Sequence, residues 1–263
     1  MMLRSLFACG ALFAVPAAAE TRSLWFKEPT EPSRWETDSL PIGNGKLGAL
    51  LFGGTSQVFV HFNEDSLWEG DEQDTGAYQS FGNFTFDFEK APGAVSGYQR
   101  ELDLSTGQHT VSYSADGVKF TRQAFASNPA GVIVLSCTAD KPGSYSGIIR
   151  LHDDHGAVAT TKGKDSLVIT GKLKNGMSYC SALKIVAKGG RLSSDGKEIT
   201  VSGADSLTFH LAAGTDYLPD SGKEWRGKDP EPRVTAAATA ASKVSFQKLA
   251  ADHHARLPCR NRS

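Results

Sequence analysis

The chain has no excess of either charge. Its 28 Lys and Arg stand against 29 Asp and Glu, a net of −1. Partners such as nucleic acid or an anionic membrane call for basic patches, and this balance argues against both. Cysteine is scarce, with four in 263 residues. Cys9 falls in an apolar leader, and Cys137, Cys180 and Cys259 remain. An odd number is no disulfide framework. Cys137 in VIVLSCTAD and Cys180 in MSYCSALKIV sit in strand-like runs. They read as small buried hydrophobes, with a single bridge between them as the alternative. No cysteine has metal-ligand spacing, and neither a metal nor a cofactor is expected.

Long apolar runs are missing as well. The run Leu6–Val15 is too short to span a bilayer. It follows the basic Arg4 and precedes the small residues Ala17, Ala18 and Ala19. Residues 1–19 therefore read as a secretory signal peptide cut after Ala19. The expected location is exported, periplasmic or extracellular, with no membrane contact after cleavage. A lipoprotein reading on Cys9 is disfavoured by the bulky Phe7.

Long amphipathic helices between strands are absent too, which argues against alternating βαβ units. What the chain has instead, from about Leu24 to Leu218, is short β-branched and aromatic runs separated by Gly, Asn, Asp and Ser. HTVSYSADGVKFTRQAF is the clearest, with Asp116-Gly117 as a hairpin turn between alternating strands. The fold expected for residues 20–228 is all-β, a large two-sheet antiparallel β-sandwich. Composition changes at DPEPRVTAAATAASKVSFQKLAADHH. Val234, Ala237, Ala241 and Val244 follow helical spacing, and prolines stand at the start. Residues 229–254 are expected to form one linker helix, followed by an irregular tail at 255–263.

One motif invites a cofactor. Gly43, Gly45 and Gly48 spell G-x-G-x-x-G in LPIGNGKLGALLFGG, and Asp65 follows Gly45 by twenty residues. The context fails: Pro41 does not suit a buried central strand, and Gly53-Gly54 stop the helix a dinucleotide loop requires. A P-loop fails because Leu47, not Ser or Thr, follows Lys46. The glycines read as a tight β turn that needs positive φ and close backbone approach.

HFNEDSLWEG supplies the candidate binding residues. Asn63, Glu64 and Trp68 on a loop would converge, the polar groups on sugar hydroxyls and the indole on a pyranose face. The competing reading is a structural turn in which Asn63 and Asp65 bond the local backbone. LHDDHG offers two possible metal ligands per face at most and reads as a solvated loop. Asn83-Phe84-Thr85 fits a glycosylation acceptor. No nucleophile elbow and no Ser/His/Asp arrangement is visible.

The ordered blocks LWFKEPTEPSRWETDSLPIGNGKLGALLFGG, FNEDSLWEG, YQRELDLSTGQHTVSYSADGVKFTRQAF and DYLPDSGKEWRGKDPEPRV resemble the N-terminal region of glycoside hydrolase family 95, the α-L-fucosidases. The similarity spans about Leu24 to Leu249. It implies an N-terminal β-sandwich, a linker, a helical (α/α)6 barrel and a small C-terminal β domain. It also implies inverting cleavage of terminal α-L-fucosides, with some members preferring L-galactose. The catalytic groups of the family lie on the barrel, and no residue of this chain matches them. The resemblance therefore gives no catalytic residue. It makes the expected partners a fucosylated glycan, reached through the barrel, and the barrel itself. The chain departs from the family pattern at DHHARLPCRNRS. Read one base later, codons for Ala255 to Arg260 can encode an Asp-Tyr-Arg run, so the tail is read as a frameshift and Cys259 as its artefact. The reading is a domain without its catalytic barrel, inactive by itself. Its competitors are a stand-alone carbohydrate-binding module, which would need an exposed aromatic platform among Trp25, Trp35, Trp68 and Trp225, and a folding remnant. The family framework would spend those tryptophans on packing.

Overall fold

The computed structural model describes residues 22–71 and 73–256. The leader reading at 1–19 and the tail from 257 onward, Cys259 included, lie outside the described residues.

Two large antiparallel sheets form the sandwich. The nine-stranded sheet runs, in spatial order, through Ser23–Phe26, Ser96–Asp103, Gln108–Ala115, Val118–Ser127, Val132–Ala139, Ser206–Thr215, Ser178–Lys188, Ser166–Lys172 and Thr160–Thr161. The seven-stranded sheet runs through Arg191–Ser194, Ile199–Ala204, Tyr145–Asp153, Gly82–Phe88, Gln57–Glu64, Leu47–Leu51 and Leu40–Gly43. A two-stranded ribbon, Trp68–Glu69 with Ala77–Tyr78, stands apart. The Asp116-Gly117 turn is as expected from its sequence. Both residues are left-handed, at φ 52° and 71°, which matches the twist of the strands they join.

Alternation fills the core. Along Gln57–Glu64 every second residue is buried, so Val58, Val60, Phe62 and Glu64 share the inward face. Phe84 stacks on Phe209 across the sandwich, with centroids 5.4 Å apart. Residues 132–135 are apolar on both faces because both are covered. Ile133, Leu135 and Cys137 meet the other sheet, while Val132 and Val134 lie under the C-terminal helices.

Two helices, not one, cover that outer face: Glu231–Ser242 and Phe246–Arg256. Val234, Ala238 and Ala241 pack the first against Phe125, Val134, Cys180 and Ala212. The break has a local cause. Ser245 Oγ accepts the backbone N–H of Lys248 at 3.3 Å and caps the second helix. Val244 is therefore exposed at the corner instead of continuing the apolar stripe.

Two arginines sit in the interior without a carboxylate. Arg100 and Arg122 are 1% and 4% exposed. Arg100 donates to the carbonyls of Glu28 (2.8 Å) and Asp38 (2.5 Å) and lies over the Phe26 ring. Arg122 donates to Tyr113 Oη at 2.8 Å and to the Gly54 carbonyl. Backbone carbonyls and ring faces together offset the cost of burying these cations. They also tie the Phe52–Ser56 turn and the N-terminal loop to the nine-stranded sheet.

Among the described residues, the two cysteines Cys137 and Cys180 are free. Cys137 points into the sandwich and Cys180 toward the helices, so the sheet itself separates them. Burial pushes both thiols up to about 12.

Of the three motif glycines, only Gly45 requires its residue type, at φ 93°. Gly43 and Gly48 are a cross-strand pair. Pro41 is accommodated because its strand is the edge of the seven-stranded sheet. Asn44 locks the turn: its side-chain oxygen accepts from the N–H groups of Lys46 and Leu47, and its Nδ2 donates to the Ser127 carbonyl.

Candidate functional site

At one end of the sandwich three segments wall a cleft of about 1060 Å³. The Glu64–Thr75 segment forms one wall. The Asn175–Met177 turn and the Tyr217–Arg226 excursion form the others, with Lys46 and Arg233 at the rim. The excursion links the last strand to the first helix. It is a small loop with its own bonding: Leu218 N–H to the Trp225 carbonyl, Gly227 N–H to the Asp216 carbonyl, and Asp220 capping the turn at Ser221.

Glu64 closes the floor. It ends an inward-facing row of apolar residues and is 4% exposed. Its Oε2 accepts from the Ser66 backbone N–H (3.0 Å) and from Ser66 Oγ (2.6 Å). Ser66 Oγ in turn contacts Thr215 Oγ1 at 2.6 Å, joining the floor to the last strand. Burial holds the Glu64 carboxyl above its ordinary range, against the opposing pull of the Ser66 hydrogen bonds. Trp68 stands at the wall, 41% exposed. Its indole N–H is tied to the Thr75 carbonyl at 2.6 Å.

Glu64 and Trp68 thus line one cleft. Asn63 does not join them. It is adjacent to Glu64 on a strand and so faces the other way, where its Oδ1 accepts the Phe81 N–H at 2.7 Å. Asp65 is exposed at the cleft edge. Tyr217 is the lining aromatic that sequence reading missed, whereas Trp225 was named with Trp68 only among the tryptophans available to a platform. The aromatics spaced through DYLPDSGKEWRG were the available signal. The four tryptophans, expected to pack, are 38–56% exposed.

The LHDDHG segment does more than face solvent. Ser80 Oγ donates to Asp154 and pairs with His61 Nε2 at 2.8 Å, and His155 Nε2 bonds the Ser80 carbonyl at 2.8 Å. The order is wrong for nucleophilic catalysis, since serine sits between histidine and carboxylate and no carboxylate orients the far ring nitrogen. Among the described residues no group of three His, Cys, Asp or Glu side chains could hold a metal ion. Thr85 of the glycosylation pattern is buried in a central strand.

A cleft with exposed indole and phenol rings beside carboxylates and guanidinium groups suits a ligand with apolar ring faces and hydroxyl edges. The family model described as "Glycosyl hydrolase family 65, N-terminal domain" matches residues 24–78 and 71–220. The chain belongs to this domain family. Among curated proteins, this glycosyl hydrolase N-terminal domain is similar to "Alpha-L-fucosidase 2" of Arabidopsis thaliana. Identity is 29% over 290 residues, covering 84% of this chain and 34% of that protein. "Probable alpha-fucosidase A" of Aspergillus oryzae is 26% identical, covering 92% of this chain and 40% of that protein. The chain spans roughly a third to two fifths of these relatives. The resemblance to the N-terminal domain of a family 95 fucosidase, read from the sequence blocks, is thereby supported from independent matches. The solved structure named "Putative kojibiose phosphorylase from human microbiome" superposes with a TM-score of 0.57 at 16% identity. It covers 90% of this chain and 38% of that one, a likeness of fold.

Proposed function

We propose that this chain is the N-terminal domain of an exported α-L-fucosidase-like glycoside hydrolase acting on terminal α-L-fucosides. The catalytic groups would come from a helical barrel, with the fucosylated glycan reached through it. The domain is not hydrolytic alone. Glu64 and Trp68 would border the sugar, with Asn63 supporting them from the opposite strand face by holding Phe81. The observation that carries this reading is the family match over most of the described residues, joined to fucosidase relatives that cover the chain at similar identity. The leader at residues 1–19 supports export, to a periplasmic or extracellular location.

A chimera tests it. Residues 24–249 replace the matching segment of a full-length α-L-fucosidase relative. The folded chimera is expected to release the aryl group from an aryl α-L-fucoside, while the 263-residue chain alone stays at the blank rate. A folded chimera without turnover, or turnover by the chain alone, overturns the reading.

A further inference from the structure

We infer that the cleft binds a neutral oligosaccharide by itself, on a platform of three aromatic rings: Trp68, Tyr217 and Trp225. The ligand class rests on the glycosidase reading above. The ring contacts and their independence from any other domain go beyond it.

The rings are exposed together. Trp68, Tyr217 and Trp225 are 41%, 46% and 38% exposed and line one concavity. A single exposed aromatic is ordinary, but three around one cleft mark a binding surface.

The Trp68 ring and the backbone beneath Trp225 are also fixed in advance. Trp68 is held by its indole N–H on Thr75 and by Asn175 Nδ2, which donates to its carbonyl at 2.9 Å. Tyr78 braces it from the paired strand, with centroids 6.4 Å apart. Trp225 stands on left-handed backbone at φ 60°, directly after Glu224 at φ 53°. Two consecutive non-glycine residues in that region are uncommon, and such strain collects where a side chain must be aimed. The position is held by Trp225 N–H on the Asp220 carbonyl and Leu218 N–H on the Trp225 carbonyl, both 3.1 Å. Rings already in place lose little freedom when a ligand lands on them.

The charges balance. Glu64, Asp65, Asp71 and Glu224 are set against Lys46, Arg226 and Arg233 around the cleft. No field of one sign is available for a polyanion or polycation. Paired hydroxyls find both acceptors and donors, while the C–H face of a pyranose lies on a ring. That combination selects an uncharged sugar chain.

Isothermal titration of the purified chain with 2′-fucosyllactose tests the inference. Binding is expected with Kd on the order of 1 mM. Trp225→Gly removes the ring and relaxes the left-handed backbone, so the fold is kept while affinity falls roughly tenfold, about the worth of one aromatic contact. Trp68→Ala lowers affinity similarly. Absence of saturable binding by the wild-type chain overturns the inference, as does unchanged affinity in both variants. The glycosidase reading is judged separately by the chimera. Turnover there without binding by the chain alone removes the platform and leaves the family reading intact.

Discussion

The imidazole of His253 lies almost flat on the ring of Phe125, with centroids 5.0 Å apart and planes 20° from parallel. Its Nε2–H donates to the Thr106 carbonyl at 2.8 Å. Burial pushes the ring's pKa down, so it docks in the neutral form at pH 7. One side chain thus fastens the Phe246–Arg256 helix both to the strand Val118–Ser127 and to the turn before Gln108.

Replacing it should loosen that helix locally. His253→Ala is expected to cost about 1–2 kcal/mol and to speed amide exchange across Phe246–Arg256, leaving the sandwich strands protected. Exchange measured by mass spectrometry checks this. Uniform loss of protection throughout the sandwich would show that the helix is not a separable unit.

Ser66→Ala removes the hydroxyl donor from Glu64 and leaves only the backbone N–H. The carboxyl pKa, already above its ordinary range through burial, should rise further, and the fold should lose about 1 kcal/mol. A carboxyl-carbon NMR titration reads the first and urea unfolding the second. A lowered pKa contradicts the assigned role of Ser66.

Acid stability turns on His109 and His210. Burial leads the shift in both, pushing His109 down to about 3 and His210 to about 4. An unfolded histidine titrates near 6.5. As pH falls below that value the unfolded chain takes up protons that the folded chain refuses, so stability falls until the folded pKa is reached. The slope is about 1.4 kcal/mol per pH unit for each ring. Neither nitrogen of His210 makes a well-formed hydrogen bond. His210→Met should therefore stabilise the fold at pH 5 and flatten the slope between pH 6.5 and 4. Urea midpoints across that range decide it, and an unchanged slope counts against it.

The glycines near the N-terminus should respond unequally to alanine. At Gly48 the added carbon meets nothing nearer than the Ile42 carbonyl at 3.9 Å, and the change should stay within about 0.5 kcal/mol. Gly45 has open space but φ 93°, so the cost is strain alone, about 1 kcal/mol. Gly53 combines φ 74° with contacts of 2.5 Å to Tyr98 Oη and 3.0 Å to Arg100 Cδ, and should cost more than about 2 kcal/mol. Denaturant unfolding of the three variants gives the order. Equal losses at Gly48 and Gly53 would mean the motif matters for reasons other than backbone shape.

The sandwich was legible because its signals are local. Asp116-Gly117 encodes a hairpin within four residues, and alternation in Gln108–Ala115 assigns its inward face. Strand order was not legible, since the Val132–Ala139 strand pairs with Ser206–Thr215 across some seventy residues of chain. The buried arginines escaped for a different reason. Arg100 and Arg122 donate to carbonyls of distant loops, and nothing in an arginine's sequence neighbours announces such acceptors. Of the three residues expected to converge, Glu64 and Trp68 share the cleft and Asn63 does not, because the strand runs through Glu64 and so turns neighbours apart. Trp225 was available for an aromatic platform but was assigned to packing by the family framework, and its exposure depends on a left-handed turn that no residue type there signals. The helix break could have been read from Ser245, a good cap placed before Phe246.

Thr215 is gripped from two sides. Its hydroxyl meets Ser66 beneath the cleft at 2.6 Å, and its carbonyl takes a guanidinium hydrogen of Arg233, from the Glu231–Ser242 helix, at 2.7 Å. Thr215 is thus a shared anchor: through one residue the floor of the cleft is bonded to the first turn of the Glu231–Ser242 helix.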